Sequence, residues 1–185
     1  MSREVESNNS LTSANSLELG QAVRGELAHR NDRDFYRLSA ASSGTLTVSL
    51  DVPNTWSLFD TFRLSLLDSA GTILGTYATG RDVSVHLGLP AAGNYFLAVQ
   101  AEFMHLAGSY SLSASLQTGR GDIETESNNT LASADALTLG SAMRAQLSSR
   151  KDVDVFSLTA PQAGVLSLAF DAPTESLLDT FQIEI

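Results

Sequence analysis

Whatever this chain folds into must close within a unit of about 115 residues, because the sequence states that unit once and then begins it again. The run Glu4-x-Glu6-x-Asn8-Asn9, followed by Asp32-x-Asp34, returns 120 residues later as Glu124-x-Glu126-x-Asn128-Asn129 and Asp152-x-Asp154. About 28 of roughly 62 aligned positions are identical between residues 4–66 and 124–185, which makes the duplication secure. The organisation expected is a complete domain over 1–117, a linker over 118–123, and the N-terminal half of a second copy over 124–185. That second copy stops at the position matching Leu66, so nothing in it corresponds to residues 67–117. A half-unit leaves apolar faces and strand edges bare. It should be disordered or completed by strands from elsewhere: residues 67–117 exchanged onto it, or strands shared in a homo-oligomer.

Period-2 alternation sets the secondary structure. Leu46, Val48 and Leu50 share one face against Thr45, Thr47 and Ser49, and Val83, Val85 and Leu87 alternate with Ser84 and His86. Tyr110, Leu112, Ala114 and Leu116 alternate with serines. This is the pattern of antiparallel strands with one wet face. Residues 94–101 are apolar on both faces and read as a central strand. Turn signals at 42–44, 68–71, 80–82 and 90–93 separate the runs. With strands near 22–27 and 34–40, the expectation is an all-β, antiparallel β-sandwich of about eight strands. Residues 11–19 read as a weak helical turn.

Charge and composition exclude several functions. The formal net charge is −10 and Lys151 is the single lysine, which argues against a nucleic-acid groove or an anionic membrane as partner. No apolar run approaches the ~20 residues of a membrane-spanning helix. The start, Met1-Ser2-Arg3-Glu4, has no apolar stretch after it, so a piece of a longer protein, or one whose leader was removed, is expected. There is no cysteine, hence no disulfide, thiolate site or cysteine nucleophile. Nucleophile-elbow, phosphate-loop and zinc-protease motifs are absent, and the chain is read as non-enzymatic.

The duplicated acidic residues carry the chemistry. Calcium takes about 6–8 oxygen ligands, with carboxylates and amide carbonyls as its usual protein donors. Alternate residues of an extended segment point the same way, so Glu4, Glu6 and Asn8 can converge, as can Asp32 and Asp34. Four carboxylates packed together without a cation would repel one another and raise their own pKa values. One such cluster could be a solvated acidic turn with Asn8-Asn9 capping it. Its repetition favours metal: Arg33 becomes Val153 and His29 becomes Ser149 while every carboxylate stays. The histidines His29, His86 and His105 lack metal-ligand spacing. Arg120-Gly121-Asp122 spells an adhesion tripeptide by chance more than by function. Trp56, in a loop and without a counterpart in the second copy, is the best candidate for a polymer contact.

In order along the chain stand Glu-x-Glu-x-Asn-Asn, then Ala14, Leu17, Gly20, Gly25 and Leu27, then Asp-x-Asp-Phe-Tyr at 32–36. Gly93-x-Tyr95 with Phe96, Leu97 and Val99 follows, and then Gly108-x-Tyr110 with Leu112. This series resembles the bacterial pre-peptidase C-terminal domain, a family that includes the collagen-binding domains of clostridial collagenases. The resemblance spans residues 4–116, with 124–185 covering its first half. It implies a jelly-roll-like sandwich attached to secreted or cell-surface bacterial proteins, with no activity of its own. Carried across by motif, Ca2+ would be held by Glu4, Glu6, Asn8, Asn9, Asp32 and Asp34. The second copy would offer Glu124, Glu126, Asn128, Asn129, Asp152 and Asp154. Asn31 stands as an alternative to Asp32, because the spacing of the second acidic pair varies in the family. Collagen or polysaccharide would be the partner of a binding module. A spacer or self-assembling element of a large adhesin, associating by half-domain exchange, is the alternative.

Overall fold

The computed structural model describes residues 1–52, 61–102, 108–119, 122–147, 151–172 and 181–185. Two short strands lie in the N-terminal leader, β1 (Ser2–Arg3) and β2 (Asn15–Ser16), separated by a 3-10 turn at Leu11–Ser13. Eight longer strands follow: β3 (Ala22–Leu27), β4 (Arg33–Ala40), β5 (Gly44–Asp51), β6 (Phe62–Leu67), β7 (Ile73–Thr79), β8 (Val83–Leu89), β9 (Gly93–Ala101) and β10 (Gly108–Thr118). One sheet has the order β1-β3-β10-β5-β8 and the other β2-β4-β9-β6-β7. The long strands thus pair antiparallel as 3-10-5-8 and 4-9-6-7, the strand order of a jelly roll. The expected all-β sandwich is borne out, with β9 central as read.

The core forms where the alternating inward faces meet. Leu46, Val48 and Leu50 of β5 and Leu112 of β10 are essentially inaccessible, as are Leu38, Leu64, Leu66, Leu97 and Val99 across from them. Outward serines, threonines and His86 bond across strands on the wet face, with Thr47 Oγ1 3.0 Å from His86 Nδ1. β9 is buried on both sides for a separate reason. Its outward Phe96 and Ala98 are covered by Leu67 and by Leu11, Ala14 and Phe35. The leader therefore lies over the sandwich rather than trailing from it.

Three expectations meet the structure in different ways. The helical turn read over 11–19 is present as the 3-10 turn Leu11–Ser13 and is followed by the two-residue β2, where Asn15 turns back to bond Val5: its Oδ1 accepts from Val5 N at 2.6 Å and its Nδ2 donates to Val5 O at 3.0 Å. Strands within 67–117 pair with the first unit, so the arrangement in which they serve the second half-unit is not the one adopted. The second copy forms only two short strands among the described residues, β11 (Asp135–Ala136) and β12 (Phe156–Ser157). Its apolar residues stay in water: Val165 is 96% exposed, and Leu166, Leu168, Phe170 and Phe181 are also exposed.

The second copy nevertheless reproduces the leader's course. Glu4 N donates to Arg24 O and Glu124 N to Arg144 O, both at 3.0 Å. Phe35 N donates to Asn8 O and Val155 N to Asn128 O. The second copy also touches the first unit: Thr125 bridges β8 at Gly88, and Gln146 Nε2 donates to Thr76 O of β7 at 3.0 Å. A cavity of about 220 Å³ lies between Leu66, Tyr77 and Leu87 on one side and Ile123, Glu126 and Gln146 on the other.

Candidate metal centre

The leader's extended course brings Glu4 and Glu6 over the start of β4. Carboxylate oxygens of Glu4, Glu6 and Asp34 lie within 4.8 Å of one another, and those of Glu124, Glu126 and Asp154 do likewise. Asn8 is fully buried between the carboxylates of the first group, and Asn128 between those of the second. The Asn8 amide, turned so that its nitrogen faces the carboxylates, donates to Asp34 Oδ1 at 3.1 Å and to Glu6 Oε2 at 3.3 Å. The Asn9 amide in the same sense donates to Asp32 Oδ1 at 3.0 Å and to Arg33 O at 2.7 Å.

Asp32 is buried at the margin of the first cluster. Its Oδ2 accepts from Ala28 N at 2.7 Å and its Oδ1 from Arg33 N at 3.1 Å, so it closes the turn before β4. Asn31, its alternative as a ligand, is exposed. In the second copy Asn129 Oδ1 accepts from Val153 N at 3.3 Å, and Asp152 lies close enough to Glu126 to raise its pKa. Trp56 and Phe103 fall outside the described residues, as do Arg120 and Gly121. Asp122 is held by Arg144, with Nη2 2.8 Å from Oδ2.

Two tyrosines that sequence reasoning did not assign to the site, Tyr110 having been read as core, lie against the first cluster. Tyr36 OH donates to Glu4 Oε2 at 2.7 Å, and Tyr110 OH donates to Asp34 Oδ2 at 2.5 Å. The two hydroxyls are 2.7 Å apart, under rings that meet edge to face. Asp135 was also missed. It is buried at the second site, accepts from Thr125 N at 2.7 Å and approaches Asn128 Nδ2 at 3.4 Å.

Burial and mutual repulsion show in the protonation equilibria. Burial first, then Glu4 and Asp32, push Asp34 up to about 8 against the opposing bond from Tyr110. Burial, then Asp152, lifts Glu126 to about 7. Glu6, Glu124 and Asp154 are raised too, each mainly by burial. In the second cluster Glu126 Oε1, Asn128 Oδ1 and Asp154 Oδ1 are buried without a hydrogen-bond partner. Chemically, both groups are all-oxygen, multiply anionic and short of donors. That donor set fits a hard divalent cation of calcium's size.

Residues 32–101 match the family model of the bacterial pre-peptidase C-terminal domain, and over that span the resemblance read from the sequence is borne out. Among solved structures, the chain is similar to the pre-peptidase C-terminal domain of a collagenase from Bacillus anthracis at 20% identity. That match covers 55% of this chain and 94% of that one, with a TM-score of 0.46. A mitogen from Yersinia pseudotuberculosis matches at 13% identity, covering 49% of this chain and 91% of that one, with a TM-score of 0.30. A β-glucosidase from Paenibacillus barengoltzii matches at 16% identity over 60% of this chain and 12% of that one, with a TM-score of 0.35. No curated protein matches the chain.

Proposed function

We propose, taking as premise that residues 32–101 are a bacterial pre-peptidase C-terminal domain, that the chain is a non-catalytic module of a secreted or cell-surface protein whose acidic leaders are fastened to the sandwich by Ca2+. The observation that carries this reading is the convergence of carboxylates upon one another. Oxygens of Glu4, Glu6 and Asp34 lie within 4.8 Å of one another, and in the second copy three buried oxygens have no donor among the described residues. Left alone, such oxygens cost about 1–3 kcal/mol each, and more where they are charged. A divalent cation removes that cost. Glu4, Glu6, Asn8 and Asp34 would hold one ion with Asn9 and Asp32 at its margin. Glu124, Glu126, Asn128 and Asp154 would hold the other beside Asn129 and Asp152.

The bound ion supplies a cross-link between segments far apart in sequence, as a disulfide would in a chain that had cysteines. The leader's own residues do the rest: Glu4 accepts from Glu26 N, Asn15 grips Val5, and Leu11 and Ala14 cover β9. Fixing the leader fixes the direction from which a preceding segment enters, and it denies a protease an extended substrate. Thermal unfolding in calcium and in excess chelator tests this. At ~100-fold over the dissociation constant, one site adds about 2.7 kcal/mol, which for a domain this size raises the midpoint by about 10 °C. An unchanged midpoint overturns the reading.

A second reading, self-association through the second copy, is favoured by the exposed Val165, Leu166, Leu168 and Phe170. Light scattering across a concentration series checks it. A strict monomer at the highest concentration rules out exchange between chains.

A further inference from the structure

We infer that the two acidic sites are unequal, the first binding calcium more tightly than the second, because a tyrosine pair seated over Gly25 orients the first site's carboxylates while the second copy has Phe156 and Ala145 in place of Tyr36 and Gly25. The inference rests on the calcium reading above and concerns what this chain's own residues do to it.

The difference lies at two positions that change together. Tyr36 becomes Phe156 in the second copy and Gly25 becomes Ala145. Gly25 is what lets the pair sit where it does. A Cβ at that position would overlap Cζ and the hydroxyl of Tyr110 and stand 2.6 Å from the Tyr36 hydroxyl. Ala145 carries such a Cβ, so the same hydroxyl arrangement cannot be rebuilt in the second copy by adding one oxygen to Phe156.

The hydroxyls act on the ligands and leave the cation's side of each carboxylate open. Glu4 is held by Glu26 N on Oε1 and by Tyr36 on Oε2, and Asp34 is held by Tyr110 on Oδ2 while Oδ1 faces Asn8. In the second site Glu124 keeps its backbone donor, Gln146 N at 2.5 Å, and accepts from Asn128 Nδ2 at 3.1 Å, but no hydroxyl among the described residues reaches it. Asp154 Oδ1 has no hydrogen-bond donor among the described residues. Groups that orient metal ligands in this way are typically worth 10–100-fold in metal affinity.

The orphaned oxygens do not reverse this order. Such strain favours binding only if the ligands are held in place before the ion arrives. Asp34 lies within the eight-residue β4, paired along its length with β9. Asp154 lies outside any strand, and β12 beside it has two residues. Asp34 is therefore held by its strand and by Tyr110 before an ion arrives, and among the described residues Asp154 has neither hold.

Calorimetric titration of the full chain with calcium chloride tests the proposal, with Asp154→Asn identifying the second site. Two classes of site separated by about 10–100-fold are expected, the weaker lost in D154N. Y36F keeps the ring and removes the hydroxyl, and it should weaken the tighter class at least tenfold without moving the other. A145G/F156Y should strengthen the weaker class, and F156Y alone should not. Two sites of one affinity, loss of the tighter class in D154N, or a Y36F chain with unchanged affinities overturns the inference while leaving calcium binding intact. Absence of any binding overturns the calcium reading itself, and this inference with it. Should Y36F fail to fold, A145G/F156Y decides: a weaker class that does not tighten sinks the proposal.

Discussion

At the scale of single residues, the acidic cluster was legible because alternate positions of an extended segment share a face. Glu4, Glu6 and Asp34 meet as that rule requires. Asp32 does not join them equally, since it precedes β4 and lies in a turn, where period-2 reasoning no longer holds. Tyr36 and Tyr110 could not be found this way. An inward tyrosine in an alternating strand reads as core, and the bond from Tyr110 to Asp34 spans 76 positions. Protonation gives a prediction at this scale. Asp34, Glu6, Glu124, Glu126 and Asp154 titrate above the range of unfolded carboxylates, so the cation-free fold takes up protons as it forms. Near pH 4 and below, both states are protonated and folding carries no penalty. The penalty grows as pH rises and is complete above about 8, the folded value of Asp34. In chelator, the urea midpoint should therefore fall between pH 5 and pH 8. In calcium the fall should be reduced, because the ion displaces the same protons. A midpoint in chelator that climbs over this range contradicts the assignment.

Among the elements, the strands of the first unit were readable because each buries one face, and β9 was readable as central because it buries two. What covers its outer face was not readable: Leu11 and Ala14 sit in a stretch rich in serine and asparagine with no period of its own. The same alternation in the second copy did not yield a sheet, and the reason is pairing. β5 takes its hydrogen bonds from β10 and β8, and β3 takes its from β10 and β1. Among the described residues no strand lies beside the matching stretch at 164–171, and it forms none. Pattern specifies which face a strand would bury, and a partner decides whether it exists. Within β3, Gly25→Ala should cost about 1–3 kcal/mol through overpacking against Tyr110. Equilibrium urea unfolding in chelator reads that loss, and a variant as stable as the parent would remove the tyrosine pair from its tight seat.

For the whole molecule, duplication was plain in the sequence, but the way the two copies touch was not. The contacts fall on main-chain atoms of the first unit, a backbone bridge from Gly88 to Thr125 and the Thr76 carbonyl accepting from the Gln146 side chain. β7 and β8 are the outer strands of the two sheets on one flank, and β1 and β2 occupy the opposite flank. Gly88 admits the incoming backbone because it has no side chain; a Cβ there would fall on the carbonyl oxygen of Glu124. Gly88→Val should expel residues 122–126 from that flank, and sedimentation at rising concentration should then reveal dimers and larger species that the parent lacks. If the leader of one copy shields the open flank of the copy before it, a longer array of such copies would carry a single unguarded border, at its far end. Resistance to sticking would then come from succession along the chain, each newcomer closing what its predecessor left open.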